Sequence, residues 1–264
     1  MDIYLAFVFT VLGLIIGSAI NSLVWRLAKE VPLSGRSICP SCRRAIHWHD
    51  NVPILSYIML AGRCRFCRAF IPWHYPVVEA AGGLLFLAIF WQQYAIYGPF
   101  LYPGAAFWLG SVLAAVIAGT LLFSFVFDAS YFLVSNAVII PGALLAGALR
   151  LLLGASWLEM LGVLAISLLF FGGQYLLTRR QGIGEGDIWL GAALALMFPD
   201  LAQWLLLIAI SYFIGAAVGL SLMFFGLKNR KDKLPLGVFL ALGGVISLFF
   251  GPQIVDWYLS LLIL

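Results

Sequence analysis

Apolar residues in this chain come in long runs, and polar residues collect between them. Stretches such as Ile3–Ile20, Leu113–Phe127 and Leu205–Met223 do not alternate with polar positions, so they do not read as the strands of a β-barrel. Runs of roughly 20 apolar residues match the length a helix needs to cross a hydrocarbon core of about 30 Å, where a helix satisfies its own backbone groups. The pattern predicts helices at about 3–27, 76–98, 104–127, 134–153, 157–178, 187–199, 201–226 and 236–262, with ends placed to within a few residues. That is about eight spans. The sixth is short, and Gly251-Pro252 can kink or split the last, so seven and nine are the alternatives. The first run does not read as a cleavable signal peptide, because Asp2 rather than a basic cluster precedes it and its apolar length is too great.

Composition agrees with this pattern. Of 264 residues, 64% are hydrophobic and 10% charged, with a mean hydropathy of +1.06, which places the chain among integral membrane proteins. The expected fold is an all-α polytopic membrane protein with a soluble loop after the first helix. Three regions follow: the first transmembrane helix over 1–27, a loop domain over 28–75 and a multi-helix membrane domain over 76–264.

The few charges orient these helices. Arg26, Lys29, Arg36, Arg43, Arg44, Arg63, Arg65 and Arg68 lie at or in the first loop. Arg179 and Arg180 precede the sixth helix, and Lys228, Arg230, Lys231 and Lys233 precede the last. With eight spans all three groups share one side, and only Arg150 of the 15 Lys and Arg residues lies opposite. The positive-inside rule makes that side cytoplasmic, with Asp2, Glu159, Asp200, Asp256 and both termini on the other. The net charge of +4 is therefore an orientation signal, and no nucleic-acid partner is needed to explain it.

All four cysteines fall in the loop, as Cys39-Pro40-Ser41-Cys42 and Cys64-Arg65-Phe66-Cys67. Two such knuckles suit a tetrahedral four-thiolate site with zinc as the natural occupant. Disulfides or an iron-sulfur centre are the alternatives, and a reducing cytoplasmic compartment disfavours the former. A closed four-sulfur shell leaves no position for water, so the metal is expected to hold the loop together. His47, His49 and His74 lie near in sequence but are not needed as ligands. The turn residues and apolar anchors of Asp50–Tyr57 suggest a loop docked on the membrane surface, with lipid as a partner.

Two acids stand out within the membrane domain. Asp128 closes the apolar run Leu121–Phe127, and Asp187 ends Gly182-Ile183-Gly184-Glu185-Gly186-Asp187. Acids at the ends of hydrophobic segments are costly unless they meet and act. Each alone could cap a helix end. As a pair they would share a proton, the ionised member taking a proton from water and the protonated one donating to a scissile carbonyl. Gly184 and Gly186 would let an extended peptide approach Asp187, and a helix N-terminus there would favour the charged carboxylate. Glu185 is expected in a solvated loop. Glu79, within an apolar helix, has either a structural hydrogen-bonding role or a part in a second activity. Asn21 and Arg26 read as interfacial anchors more readily than as active-site groups.

The loop with Asn51-Val52-Pro53 and Ser56-Tyr57, followed by Tyr75-Pro76 and Glu79, resembles the cytoplasmic domain of bacterial prepilin leader peptidase/N-methyltransferases. Gly17-Ser18 with Asn21 and Arg26 is similar to that family's first-helix motif, Gly182–Asp187 to its glycine-aspartate signature, and Leu234-Pro235-Leu236-Gly237 with Phe239-Leu240-Ala241 to its final motif. The resemblance implies an aspartyl protease of the bacterial inner membrane that removes the basic leader of type IV prepilins or type II secretion pseudopilins after a glycine. It also implies N-methylation of the new N-terminus with S-adenosylmethionine, for which Glu79, Asn21 and Arg26 are the candidate cofactor residues. Three positions depart from the family pattern: Val134-Ser135-Asn136 stands where Leu-Pro-Asp is common, Trp189 where lysine is common, and Leu236 where phenylalanine is common. These bear on substrate preference. A secondary transporter using intramembrane acids is the alternative, and a docking scaffold built on the zinc loop is a third reading. The particular pilin and the oligomeric state are left open.

Overall fold

A computed structural model of the chain describes residues 2–97, 104–179, 182–229 and 232–262. Arg180, Arg230 and Lys231, which contribute to the charge pattern above, lie outside the described residues. The chain divides into two compact units, residues 1–103 and 104–264.

The first unit is an antiparallel pair of helices, α1 (Asp2–Ala28) and α3 (His74–Tyr97), joined by the cysteine loop with its short helix α2 (Leu55–Met59). Contacts run in opposite directions along the two helices. Phe9 meets Phe90 at a centroid distance of 5.6 Å, and the Asn21 side-chain amide donates to the Tyr75 carbonyl at 3.0 Å. Small residues let the backbones approach, as is common where lipid supplies no hydrophobic drive for helices to associate. A Cβ on Gly17 would lie 2.7 Å from the Val78 carbonyl oxygen and 2.8 Å from the Glu79 Cα, and one on Gly13 would strike the Gly82 carbonyl.

The second unit contains α4 (Ala105–Tyr131), α5 (Asn136–Leu152), α6 (Trp157–Leu177), α7 (Glu185–Met197), α8 (Leu201–Phe224) and α9 (Leu236–Leu262). Its core is α4, whose face from Phe107 to Asp128 is buried against α5 and α9. Thr120 and Ser124 place polar atoms inside that core but donate back to the Val116 and Thr120 carbonyls at 2.8 Å each, so neither needs water. α7 is packed between α5 and α6, and α8 lies against α9.

All eight predicted helices are present. Six of them, α1, α3, α4, α6, α8 and α9, are long and apolar enough to cross a membrane. α5 has 17 residues and α7 has 13, which at the α-helical rise gives about 25 Å and about 20 Å. The largest difference from the expected boundaries lies at the end of α4, and the last helix keeps its expected bounds. α4 runs one turn past Asp128, ending where Phe132 takes a left-handed conformation and donates its N–H to the Asp128 carbonyl. α9 continues through Pro252 without splitting.

The α1–α3 contact makes a direct prediction. Gly17→Val should destabilise the chain by at least about 2 kcal/mol, because backbone atoms rather than a movable side chain meet the new methyl groups. The thermal midpoint of the detergent-purified protein should fall; an unchanged midpoint would refute the close approach.

Candidate active site and metal centre

Asp128 sits in the last turn of α4 and is buried, with 6% of its surface exposed. A buried carboxylate needs donors, and α9 supplies them. The Val238 N–H donates to Asp128 Oδ2 at 3.1 Å, and the Gly237 N–H lies on the same carboxylate. These belong to the first turn of a helix, whose N–H groups lack intrahelical partners and carry the positive end of the helix dipole. Gly237 is required by this geometry: a Cβ there would be 2.8 Å from Asp128 Oδ2.

Asp187 is held in the same way by its own helix. It lies in the first turn of α7, and its Oδ2 accepts the Gly184 N–H at 2.9 Å. The charges of Asp187 and Asp128 are close enough to interact. Two carboxylates 59 positions apart in sequence are thus within electrostatic reach, each anchored to the N-terminal turn of a helix.

The glycines before Asp187 do different jobs. A Cβ on Gly186 would be 2.5 Å from the Val134 Cβ, so this glycine seats α7 against the chain leading into α5. A Cβ on Gly184 would meet only Asp187 Oδ2 at 3.6 Å and the Gly186 nitrogen at 3.9 Å, which leaves space beside the carboxylate. Glu185 is exposed as expected, but it opens α7 rather than standing in a loop, and the Tyr175 hydroxyl of α6 donates to its Oε1 at 2.6 Å. On α8, the Tyr212 hydroxyl donates to Gln174 Oε1 at 2.9 Å, and Tyr212 lies within reach of the charge on Asp187. Neither Tyr212 nor Gln174 carries a local sequence signal; each sits in an apolar helix and is placed near Asp187 by packing alone.

The cysteine loop forms a separate centre in the first unit. The Sγ atoms of Cys39, Cys42, Cys64 and Cys67 all lie within 4.8 Å of one another, and all four cysteines are free thiols. Zn–S bonds of about 2.3 Å in a tetrahedron require sulfurs roughly 3.8 Å apart, and Cys39 and Cys67 are at 3.9 Å. The donor set therefore fits a thiolate metal site. Both knuckles share one backbone design. The Cys39 N–H donates to the Arg44 carbonyl and the Arg43 N–H to Cys39, just as Cys64 donates to Ala69 and Arg68 to Cys64. Arg43 and Arg68, each directly after the second cysteine, have φ of 59° and 60°. The Arg65 guanidinium donates to Asp50 Oδ2 at 2.7 Å, tying the second knuckle to the middle of the loop. That hydrogen bond holds the Asp50 carboxyl below its ordinary range, so its contribution is present above the normal carboxylate pKa and fades as pH falls through the lowered value.

The three histidines do not join the cysteines. His47 and His49 stack on each other at 5.3 Å, and His74 lies against Tyr75. The candidate cofactor residues are equally committed. The Glu79 carboxylate accepts the Ile54 N–H at 2.7 Å, an interaction that secures a β-branched residue at φ 62°. Arg26 is buried rather than spread on an interface, and donates to the carbonyls of Pro32, Ser34, Gly35 and Arg36 between 2.8 and 3.1 Å. Asn21, with its bond to Tyr75, and these two hold the backbone of their own unit, and their arrangement does not single out a cofactor pocket.

Comparison with known proteins agrees with this anatomy. Residues 11–93 match the bacterial peptidase A24 N-terminal domain, and residues 115–220, which include both acids, match the type IV leader peptidase family. A prepilin leader peptidase/N-methyltransferase of Burkholderia pseudomallei is 35% identical, covering 91% of this chain and 84% of its own length. One from Aeromonas hydrophila is 33% identical over 85% of this chain and 75% of the relative, and one from Pseudomonas aeruginosa 28% over 94% and 91%. No solved structure gives a significant match. Two family matches in chain order, with relatives above 30% identity across most of both lengths, leave one assignment: the chain belongs to the type IV leader peptidase family, the prepilin leader peptidase/N-methyltransferases.

Proposed function

We propose that this protein is a multi-pass inner-membrane aspartyl endopeptidase that removes the leader of type IV prepilins or type II secretion pseudopilins, with Asp128 and Asp187 as the catalytic pair. The observation that carries the reading is that these two carboxylates, each fixed by a helix N-terminus, lie within electrostatic reach of one another. In a working dyad one acid is protonated and one ionised. The ionised acid takes a proton from water as its oxygen attacks the scissile carbonyl carbon, while the protonated acid donates to the carbonyl oxygen. Collapse of the tetrahedral species breaks the C–N bond, and a proton passes to the departing amine. Backbone anchoring restricts each carboxylate to a narrow range of orientations and leaves its second oxygen for water or substrate. The open space beside Gly184 supports an approach by extended peptide, whereas Gly186 is reserved for packing on Val134.

The distribution of basic residues supports a cytoplasmic placement for the cysteine loop and for the acids. Zinc is the proposed occupant of the four-cysteine site, in a structural role. N-methylation of the newly exposed N-terminus, with S-adenosylmethionine supplying the methyl group, belongs to the same proposal by family membership. No step of it is assigned to Glu79, Asn21 or Arg26, whose polar groups hold backbone. An ion-coupled transporter is less well supported, because both acids sit near helix ends rather than midway along a span.

Asp128→Asn and Asp187→Asn should each lower prepilin cleavage at least about 1,000-fold with the protein still folded. Cleavage within tenfold of the parent in either variant would remove that residue from the chemistry. Metal analysis of the purified protein should find one zinc per chain. Cys39→Ser together with Cys64→Ser should abolish it and expose the loop to proteolysis, and metal-free protein with a protected loop would contradict the structural role.

A further inference from the structure

We propose that Arg150 is a positioning residue for peptide cleavage, fixing Asp187 from the opposite end of α7; this rests on the proposed protease function. Its Nε donates to the Met197 carbonyl at 3.1 Å. Met197 is the last residue of α7, and its carbonyl is one of the four that a helix leaves without an intrahelical donor. Water cannot easily supply one, because Met197 is 1% exposed and the following Phe198 is fully buried. The adjacent chain turns at once into Pro199 and Asp200, and Pro199 has no N–H to offer. A charged donor arriving from α5 answers that need.

Arg150 is held in place as well as holding. It lies in the last turn of α5, within reach of the charge on Asp200, whose Oδ1 accepts the Gln203 N–H at 2.7 Å and so caps α8. One guanidinium therefore ties the end of α5 to the end of α7, within electrostatic reach of the acid that caps α8. In the eight-span reading Arg150 is the one Lys or Arg residue on the side opposite the basic clusters. Such a residue calls for a specific role.

The link to catalysis is mechanical. α7 carries Asp187 in its first turn, about 15 Å along the helix from Met197 at the usual rise per residue. Asp128 is fastened to α9, a different helix. The separation of the two acids thus depends on the axial position of α7 relative to α4 and α9. Near its start α7 is seated sideways by Gly186 on Val134, and midway by Gly191 on Phe171. Side packing of small residues resists tilting more than sliding. The Arg150 bond to a terminal carbonyl points at the helix end and resists the slide.

The test compares Arg150→Met, which removes the donor, with Arg150→Lys, which keeps a charged one. Prepilin cleavage is measured across pH in the purified full chain, alongside thermal stability. Arg150→Met should lower kcat at least about tenfold with KM within about twofold, since small displacements of reacting groups are expensive in rate. Its pH profile should shift, because changing the spacing of two acids changes how they share a proton. Arg150→Lys should recover kcat to within about threefold and restore the profile. If Arg150→Met does not fold, Arg150→Gln takes its place with the same expectations. A folded variant without the guanidinium that keeps the parental kcat and pH profile overturns the proposal. So does an equal loss in the lysine and donor-free variants with an unshifted profile. Absence of cleavage by the parent protein would instead count against the protease reading itself.

Discussion

A carboxylate can stay inside a membrane protein only if the protein supplies the hydrogen-bond donors that water no longer can, and the second unit is arranged around that requirement. Asp128 reaches the first N–H groups of α9, and Asp187 the N–H that precedes α7. Both are donors that a helix start leaves unused. The solution costs no additional polar side chains, which matters in a chain where 10% of residues are charged. It also fixes where helices must begin. α9 has to start beside Asp128, with glycine at 237, and α7 has to start beside Asp187. The short length of α7 follows from the same need, because its first turn belongs to the site and its last residue abuts the turn into α8.

The first unit solves a different problem by similar means. Its loop has few apolar residues buried and is instead fastened by discrete polar contacts. Arg26 gathers four carbonyls, Glu79 takes the Ile54 N–H, Asp50 receives Arg65, and the two knuckles bring four sulfurs to one point. A metal held by those four sulfurs would give such a loop folding free energy that its limited core cannot provide. The residues first considered for a cofactor are part of this fastening. A buried Glu or Arg in a helix near a loop has two uses, and the sequence cannot separate them because both require the same residue in the same place.

Much of this was legible before any coordinates. Helices in lipid announce themselves by apolar length alone, so all eight were found, and the Cys-x-x-Cys pairs encode their own local turn. What escaped was set by distant partners. Asp128 looked like the end of α4 because a charge follows a largely apolar run, yet the helix continues once α9 satisfies the acid. The glycine at 186 suggested access for a peptide, whereas Val134 occupies that side. The Leu-Pro-Leu-Gly stretch could be recognised only by resemblance; its physical reason is the 2.8 Å that separates a would-be Gly237 Cβ from Asp128. Arg150 registered merely as a charge on the unusual side, and its contact with the end of α7 depends on how three helices meet.

The central claim is that two helix-anchored acids act as one unit with a shared proton. The most direct measurement is the pH dependence of kcat for cleavage of a prepilin by the purified protein. A dyad that needs one ionised and one protonated member predicts a bell-shaped profile, falling when both acids are protonated and again when both are ionised. A profile that rises to a plateau and stays level through alkaline pH, with the protein still folded, would mean that the doubly ionised form is active and would contradict the account.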